Sequence, residues 1–441
     1  MITLIEFVIL FGAIFLGIRY GGMSLGFFGG AGLFILTVVF GVVPTSPPID
    51  VMLIIFAVCL CAACMQVAGG LDILVRIAAR IIRSNPKYVA VIAPIVSFFL
   101  TFFAGTGNAV YAILPVVYEV SYNAEIRPER AMSATAVAGQ VGITASPIAA
   151  AVAAMIGLLA QNGHEEIGLG TILMVTFPSC LIGVIVASFL GMFRGKELKD
   201  DPDYQARLAA GLVLPPKKLD NRPLPKTAYI SVLIFFGAIA LIVLAGFFPE
   251  LRVPRGQEKA ISMSLVIECV MLAAGALMFV VCKPDAAKIA KSDVMNACEA
   301  SLAAVFGIAW MSDAFFIAAN SKVFMEIAGT LAQSAPFLFA VVLAVMSSLL
   351  TSQGATTRAV MPLGFALGIN PMLLVAMFPA VNCLFMLPIS GPALAAIGMD
   401  RSGTTAIGKY VFNHSFQFPG IIMAVVAVAV GYTMVTLGIV G

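Results

Sequence analysis

The chain has 441 residues, 61% of them hydrophobic and 11% charged, with a formal net charge of +3. Soluble domains carry about 25% charged residues, so this composition excludes an ordinary globular protein and places the chain in a bilayer. A charge of +3 leaves no electrostatic footprint for nucleic acid, and none is expected as a partner.

Crossing the hydrocarbon core takes a helix of about 20 apolar residues. In chain order such stretches predict ten crossings, at about 2–18, 22–43, 50–70, 131–160, 169–193, 228–248, 260–282, 294–318, 371–400 and 411–436. The first lacks a basic leader and a small-residue cleavage site and runs through Arg19 into the next apolar stretch, so it reads as a span, not a signal peptide. Extra apolar sequence at 88–122 and 336–370 predicts two re-entrant helical hairpins, each entering and leaving by one side. LDILVRIAARIIRSNPK (71–87) has apolar positions at helical spacing with arginines along it, and predicts a helix lying in the inner interface. The one long polar segment, 194–226, carries eight Lys/Arg and is expected in the cytoplasm. Counting outward from it puts twenty basic residues inside, among them Arg76, Arg80, Arg83, Arg127 and Arg130, and four outside, with Arg358 in the second hairpin. Both termini then fall on the periplasmic side.

This polar linker separates residues 1–193 from 227–441, with five crossings each, so the two halves run through the membrane in opposite directions. Their landmarks match. FFAGTGNAVYAILP (102–115) and SSLLTSQGATTRAVMP (347–362) are both an apolar run, a polar and glycine break, and a second apolar run closing on proline. Gly354 and Pro362 lie 247 residues after Gly107 and Pro115, and Pro392 lies 245 after Pro147. Each half also holds a broken helix, at 131–160 through VAGQVGITASPIAAAV and at 371–400 through AVNCLFMLPISGPALAAI. One such break is ordinary helix packing. Four at corresponding positions of inverted halves point to a transport site at the bilayer midplane.

Irregular backbone survives at that depth only against protein or a wet cavity. The N-termini of half-helices offer unbonded N–H groups and a positive dipole end, which suit an anion. The candidate substrate-binding residues are therefore Gly105, Thr106, Gly107 and Asn108 at the first tip, and Thr144, Ala145, Ser146 and Pro147 in the first broken helix. Ser352, Gln353, Gly354, Thr356 and Thr357 belong to the second tip, and Pro388 and Ser390 to the second broken helix. Arg358 carries two readings: a bidentate partner for a carboxylate, or a structural cation on a wet hairpin surface. Glu119, Glu268, Glu299, Asp313 and Glu326 lie in or near apolar segments. Each reads either as a site for a coupling proton or sodium ion or as a helix-end or paired structural acid.

Enzyme chemistry finds little support. HEEIG (164–168) lacks the second histidine of a zinc protease, and His414 is the only other histidine in the chain. GGAGLF (29–34) has no Gly-Lys-Ser/Thr to grip phosphate and reads as a close helix contact. CLCAAC (59–64) has no neighbouring histidine and reads as small packing residues. No cofactor or metal is expected.

The chain resembles the anaerobic C4-dicarboxylate transporter (Dcu) family over essentially its whole length. The resemblance is carried by MQVAGGLD (65–72), NPKYVAVIAPIV (85–96), FAGTGN (103–108), IRPERAMS (126–133), ITASPI (143–148), GIAWM (307–311) and MDRSGTTAIGKYVFNHSFQFPG (399–420). DDPDYQARLAAGLV and VCKPD lean toward the aspartate and fumarate exchanging branch. The resemblance implies exchange of fumarate, succinate, malate or aspartate across the bacterial inner membrane. It also implies an ion-transporter-superfamily architecture, often homodimeric, in which a part carrying the hairpins and broken helices moves as an elevator. One departure stands out. Where members of the family read Leu-Pro-Thr-Tyr-Pro, this chain has Leu387-Pro388-Ile389-Ser390-Gly391 with Pro392 displaced by one, so a tyrosine hydroxyl is missing there. The basic residue at Arg358 is a lysine in the aspartate-type branch, which implies a tuning role.

Overall fold

The computed structural model describes residues 2–20, 23–44, 46–47, 49–213, 224–257, 260–315, 335–350, 352–387, 390–408 and 413–440. Apart from one isolated bridge between Ile407 and His414, the described residues form helices and turns with no strand. Pro86–Ala104, Leu169–Gly191, Leu265–Cys282 and Gln417–Thr436 are each long and apolar enough to cross a bilayer unbroken. Shorter apolar helices, such as Ile2–Gly17, Gly26–Phe40 and Lys226–Ile242, accompany them. Phe27, Phe34, Leu233, Val280 and Val425 point outward from helices with no polar face, which is how a bundle meets lipid. The protein is a multi-pass helical membrane protein.

The helix Met52–Val67 gives way at Gly69 to Gly70–Ser84, which turns from it by 72°. Gly69 sits at φ +89°, a conformation that favours glycine. The turned helix buries Ile73, Ala78, Ala79 and Ile82 and leaves Ile77 and Ile81 exposed. This is the amphipathic segment expected at the interface. Arg83 Nη2 meets Glu119 Oε2 at 2.9 Å, so this candidate coupling acid is a paired one. Glu268 is half-buried and Glu299 exposed. The Asp313 side chain and all of Glu326 lie outside the described residues.

The glycines near residue 29 serve packing. A Cβ on Gly26 would fall 2.5 Å from the Ala303 carbonyl oxygen, and one on Gly29 would overlap the backbone at Gly307. The helix Ser24–Phe40 therefore lies backbone to backbone against Asp293–Ala304 and the π-turn Val305–Ala309.

Two helix pairs joined by short breaks build the centre of the molecule. Val89–Ala104 ends at Gly105, in the left-handed region at φ +67°, and its return helix Val110–Asn123 packs against it. Leu338–Leu350 and Gln353–Ala366 form the second pair. Between and after them come Pro128–Thr144 and Ala150–Gln161, broken at 145–149. Their counterparts are Pro371–Met377, which runs into the tighter helix Phe378–Met386, and Gly391–Met399. Ser97 Oγ ties the first arm of one pair to the Thr135 carbonyl at 2.9 Å, and Ser347 Oγ ties the first arm of the other to the Val381 carbonyl. The return arm of each pair packs on the second half of the other broken helix, 110–123 on 391–399 and 353–366 on 150–161. Gly139 and Gly142 instead let Pro128–Thr144 approach the first pair closely, since a Cβ on Gly139 would overlap Val110 and one on Gly142 would overlap Thr101.

The first part of the polar linker is folded onto one end of this unit. Arg127 pairs with Asp201 and, at 2.6 Å, with Glu129. Arg130 donates to the Arg194 and Gly195 carbonyls and meets Glu197 Oε1 at 3.0 Å. Asp201 caps the helix Pro202–Ala209 by accepting from the N–H groups of Asp203 and Tyr204. Arg207 Nε reaches the Ser402 carbonyl at 3.1 Å, and the Glu129 N–H reaches Thr404 Oγ1 at 3.1 Å. The linker thus fastens the entry of the first broken helix to the exit of the second. Burial alone would raise the Asp201 carboxyl, but Arg127 and the two backbone N–H groups outweigh it and hold it below the usual carboxylate range.

Candidate functional site

Gln140 lies about three turns into the helix Pro128–Thr144 and is almost fully buried. A Cβ on Gly107 would fall 2.6 Å from its Nε2, so the amide rests directly on the first tip. Its Oε1 accepts from Gln353 Nε2 of the second tip at 2.9 Å, and its backbone carbonyl lies 3.3 Å from the same nitrogen. One side chain therefore joins Gly107 to the residue beside Gly354. Asn382 sits at the matching depth after Pro371, where its Nδ2 donates to Thr144 Oγ1 at 2.7 Å. Its Oδ1 is buried and has no partner among the described residues.

Gln140 and Asn382 open on a narrow cleft whose other lining residues are Ala136, Val137, Phe385, Ser390, Ala393 and Phe416. The wall offers two amides and a hydroxyl among apolar and aromatic groups, with no acid on it. Neutral donors in a low-dielectric cleft suit an incoming carboxylate, because they stabilise its charge without a counter-charge that must be desolvated first. The cleft also lies where two apolar cores meet: Val381 belongs to one and Cys383 to the other, with Asn382 between them.

The remaining candidates divide by role. Thr144 is within this network, and Ser390 lines the cleft. Gly105 lies against Ile148, while Ser146 Oγ donates to the Phe102 carbonyl at 2.7 Å, so both knit the first tip to the first broken helix. Thr106 adjoins Gly107, and Ala145 and Pro147 are buried in the break. Ser352 caps its own helix by accepting from the Ala355 N–H at 3.2 Å. Thr356 and Thr357 donate to carbonyls four residues back, at 2.8 and 2.7 Å, which occupies their hydroxyl protons within the helix. The N-termini of Ala150–Gln161 and Gly391–Met399, in contrast, have no side-chain cap. The Asn108 side chain and Pro388 lie outside the described residues.

Arg358 is 2% exposed and does not line the cleft. Its guanidinium folds back beside Gly354, where a Cβ would fall 3.0 Å from Nη1, and Nε and Nη1 have no partner among the described residues. The wet hairpin surface expected around it is not what surrounds this buried side chain.

Three side chains of the site escaped the reading of the sequence. Gln140 and Asn382 stand in the quoted breaks but a turn or more before the irregular residues, where an amide within an apolar run is the available signal. Tyr111 is the third. A Cβ on Gly391 would overlap its hydroxyl, so the glycine leaves the space into which Tyr111 reaches from the other half of the chain. A tyrosine hydroxyl thus stands beside the second break, although Leu387–Gly391 contains none.

Among the described residues no cluster of three His, Cys, Asp or Glu could hold a metal ion. His164 of HEEIG pairs instead with Glu166 at 3.2 Å.

A helical bundle with paired breaks around an amide-lined cleft is the architecture of a membrane transporter. The chain superposes on the YdaH transporter of Alcanivorax borkumensis with a TM-score of 0.59 at 16% identity, covering 87% of this chain and 85% of that one, a likeness of fold. The family model described as anaerobic C4-dicarboxylate membrane transporter matches residues 2–439, and the chain belongs to that family. It is 40% identical to the C4-dicarboxylate transporter DcuA and 39% identical to the anaerobic C4-dicarboxylate transporter DcuB of Escherichia coli, each over 98% of both chains. Its identity to DcuA of Helicobacter pylori is 37%, again over 98% of both. These relatives are transporters, and so is this protein.

Proposed function

We propose that the protein is a secondary carrier that exchanges C4-dicarboxylates, among them fumarate, succinate, malate and aspartate, across the bacterial inner membrane. In this reading two inverted repeats, 1–193 and 227–441, each contribute five crossings and one re-entrant hairpin, and both termini face the periplasm. The substrate sits in the cleft at Gln140, Asn382 and Ser390. The observation that carries the reading is the Gln140 side chain, which touches the first tip, bonds the second and lines the cleft between them. Reciprocal packing of each return arm on the opposite broken helix supports the repeat, as do the equivalent bonds from Ser97 and Ser347. Uncapped half-helix ends at 150 and 391 supply backbone donors for a carboxylate.

Alternating access follows if the two apolar cores that meet at the cleft shift against each other as an elevator, in one protomer or in each protomer of a homodimer. A substrate carboxylate accepts from the Gln353 amide in place of Gln140 Oε1, which loosens the contact between the two tips and couples binding to movement. Identities of 40% to DcuA and 39% to DcuB favour neither branch; the aspartate preference rests on the linker motif. A counterflow panel in proteoliposomes with aspartate, fumarate, succinate and a monocarboxylate, with and without a sodium gradient, tests the function. Exchange of the dicarboxylates alone, independent of sodium, is expected. Uptake that requires the gradient and shows no counterflow would make the protein a symporter instead.

A further inference from the structure

We propose a second, outer anion station on the linker side of the carrier, at which Arg194 captures one carboxylate of the dicarboxylate before the substrate enters the central cleft. The inference rests on the reading of that cleft as the substrate site and adds a step on the way to it.

A second, shallow cleft opens at the linker end of the same unit, lined by Glu129, Arg130, Ser133, Ala134, Gly191, Arg194, Ser415, Phe418 and Pro419. Its relation to the central cleft is set by two shared walls. On the helix Pro128–Thr144, Ser133 lines the outer cleft while Val137 and Gln140, four and seven residues on, line the inner one. These positions fall on one helix face, and seven residues advance about 10 Å along the axis. On the opposite wall Ser415 faces the outer cleft and the next residue, Phe416, the inner one. Phe416 is fully buried and lines the inner cleft, one residue on from the outer cleft's Ser415.

The charges of the outer cleft are unequal in what they are free to do. Glu129 is engaged by Arg127 at 2.6 Å. Arg130 spends its guanidinium on the Arg194 carbonyl at 2.6 Å, the Gly195 carbonyl at 3.0 Å and Glu197 at 3.0 Å. Arg194 is exposed, and its guanidinium lies over the Phe418 ring at 4.7 Å from the centroid, a contact that orients the group and leaves its N–H donors unspent. No acid among the described residues bonds it. A planar, permanently charged fork held by an aromatic ring at the mouth of a cleft is suited to a carboxylate. With Glu129 engaged by Arg127 and Arg130 by Glu197, Arg194 is the charge left to act on an anion at the opening, and a positive field there raises the local concentration of an anionic ligand by about tenfold or more at low salt. The inner cleft, being neutral, has no such reach.

The arrangement makes a face-specific prediction. In right-side-out and everted membrane vesicles, Arg194→Gln is expected to raise the half-saturating succinate concentration on the linker-exposed face about three- to tenfold, while maximal exchange and the opposite face stay at wild-type values. Arg194→Lys, which keeps the charge and loses the planar fork, is expected to recover the low value in part, and raising the salt to about 0.5 M erases the difference between wild type and Arg194→Gln. An unchanged constant on the linker face, or an equal rise on both faces, would overturn the proposal. The same chemistry would hold a lipid phosphate, so the series is repeated in proteoliposomes free of anionic lipid. Survival of the shift there supports substrate capture, and its disappearance assigns the cleft to a headgroup and overturns the proposal. Gln140→Leu in the same series separates this inference from the function it rests on. Wild-type exchange in that variant would remove the central site while an Arg194 shift still stood.

Discussion

The linker end of the molecule and its central cleft are held together in opposite ways. At the linker end the contacts involve charged groups: Arg127 pairs with Asp201 and Glu129, Arg130 pairs with Glu197, and Asp400 accepts from the hydroxyls of Ser402 and Thr404. At the cleft they are between neutral groups: Gln353 with Gln140, and Asn382 with Thr144. Charged pairs near water fix a position cheaply and need not be broken during function. Buried neutral amides carry no net charge to neutralise and can exchange partners when an anion arrives. The difference suggests which end is anchored and which rearranges.

The sharpest way to break this comparison is to remove the neutral donors. Asn382→Leu removes the donor to Thr144 Oγ1 and leaves that hydroxyl its bond to the Val141 carbonyl, and Gln140→Leu leaves the Gln353 amide the backbone carbonyl of residue 140 alone; each lost bond costs about 0.5–1.5 kcal/mol. Succinate counterflow is expected to fall at least tenfold in either variant, with monodisperse protein on size-exclusion chromatography. Gly107→Ala should follow with a several-fold loss. The added Cβ would sit 2.6 Å from Gln140 Nε2 and push the amide away from the second tip, and a normal melting temperature would separate this from unfolding.

At the charged end the effect is on attachment, not transport. Asp201 titrates below the usual carboxylate range. Its contribution is therefore complete above its unfolded value of about 3.9 and is lost as pH falls through the lower folded value. The protection of amides in Pro202–Ala209 against hydrogen exchange, relative to the intrinsic rate at each pH, should be high at neutral pH and fall below about pH 4, and Arg127→Gln should lower it throughout. The smallest effect is expected from Thr356→Val and Thr357→Val. Their hydroxyl protons already serve their own helix, so exchange should stay within about twofold of wild type, a near-neutral change of the kind seen when a local back-bond is removed.

What the sequence made legible were signals carried by neighbours in the chain. The apolar runs, the breaks at Gly105 and Ser352, the amphipathic turn after Gly69 and the small residues near Gly29 each announce themselves within a few residues. Thr144, Gln353 and Ser390 were reached because they stand in those breaks. Gln140 and Asn382 were not, because what marks them is a partner across the fold: Gln353 lies 213 residues from Gln140, and Thr144 lies 238 from Asn382. Tyr111 was hidden for a related reason, since its place in the site depends on the space left by Gly391 in the other half of the chain. Thr356 and Thr357 stood in a legible break and looked free to bind, but a helix offers a threonine hydroxyl a nearer acceptor in its own preceding turn.

The account turns on whether the dicarboxylate meets the amide cluster. A structure of the carrier determined with saturating succinate tests this directly. One carboxylate is predicted to lie within about 3.2 Å of both the Gln140 and the Asn382 side chains, with the Gln353 amide released from Gln140. Succinate bound elsewhere, with the Gln140 and Gln353 bond intact, would contradict it.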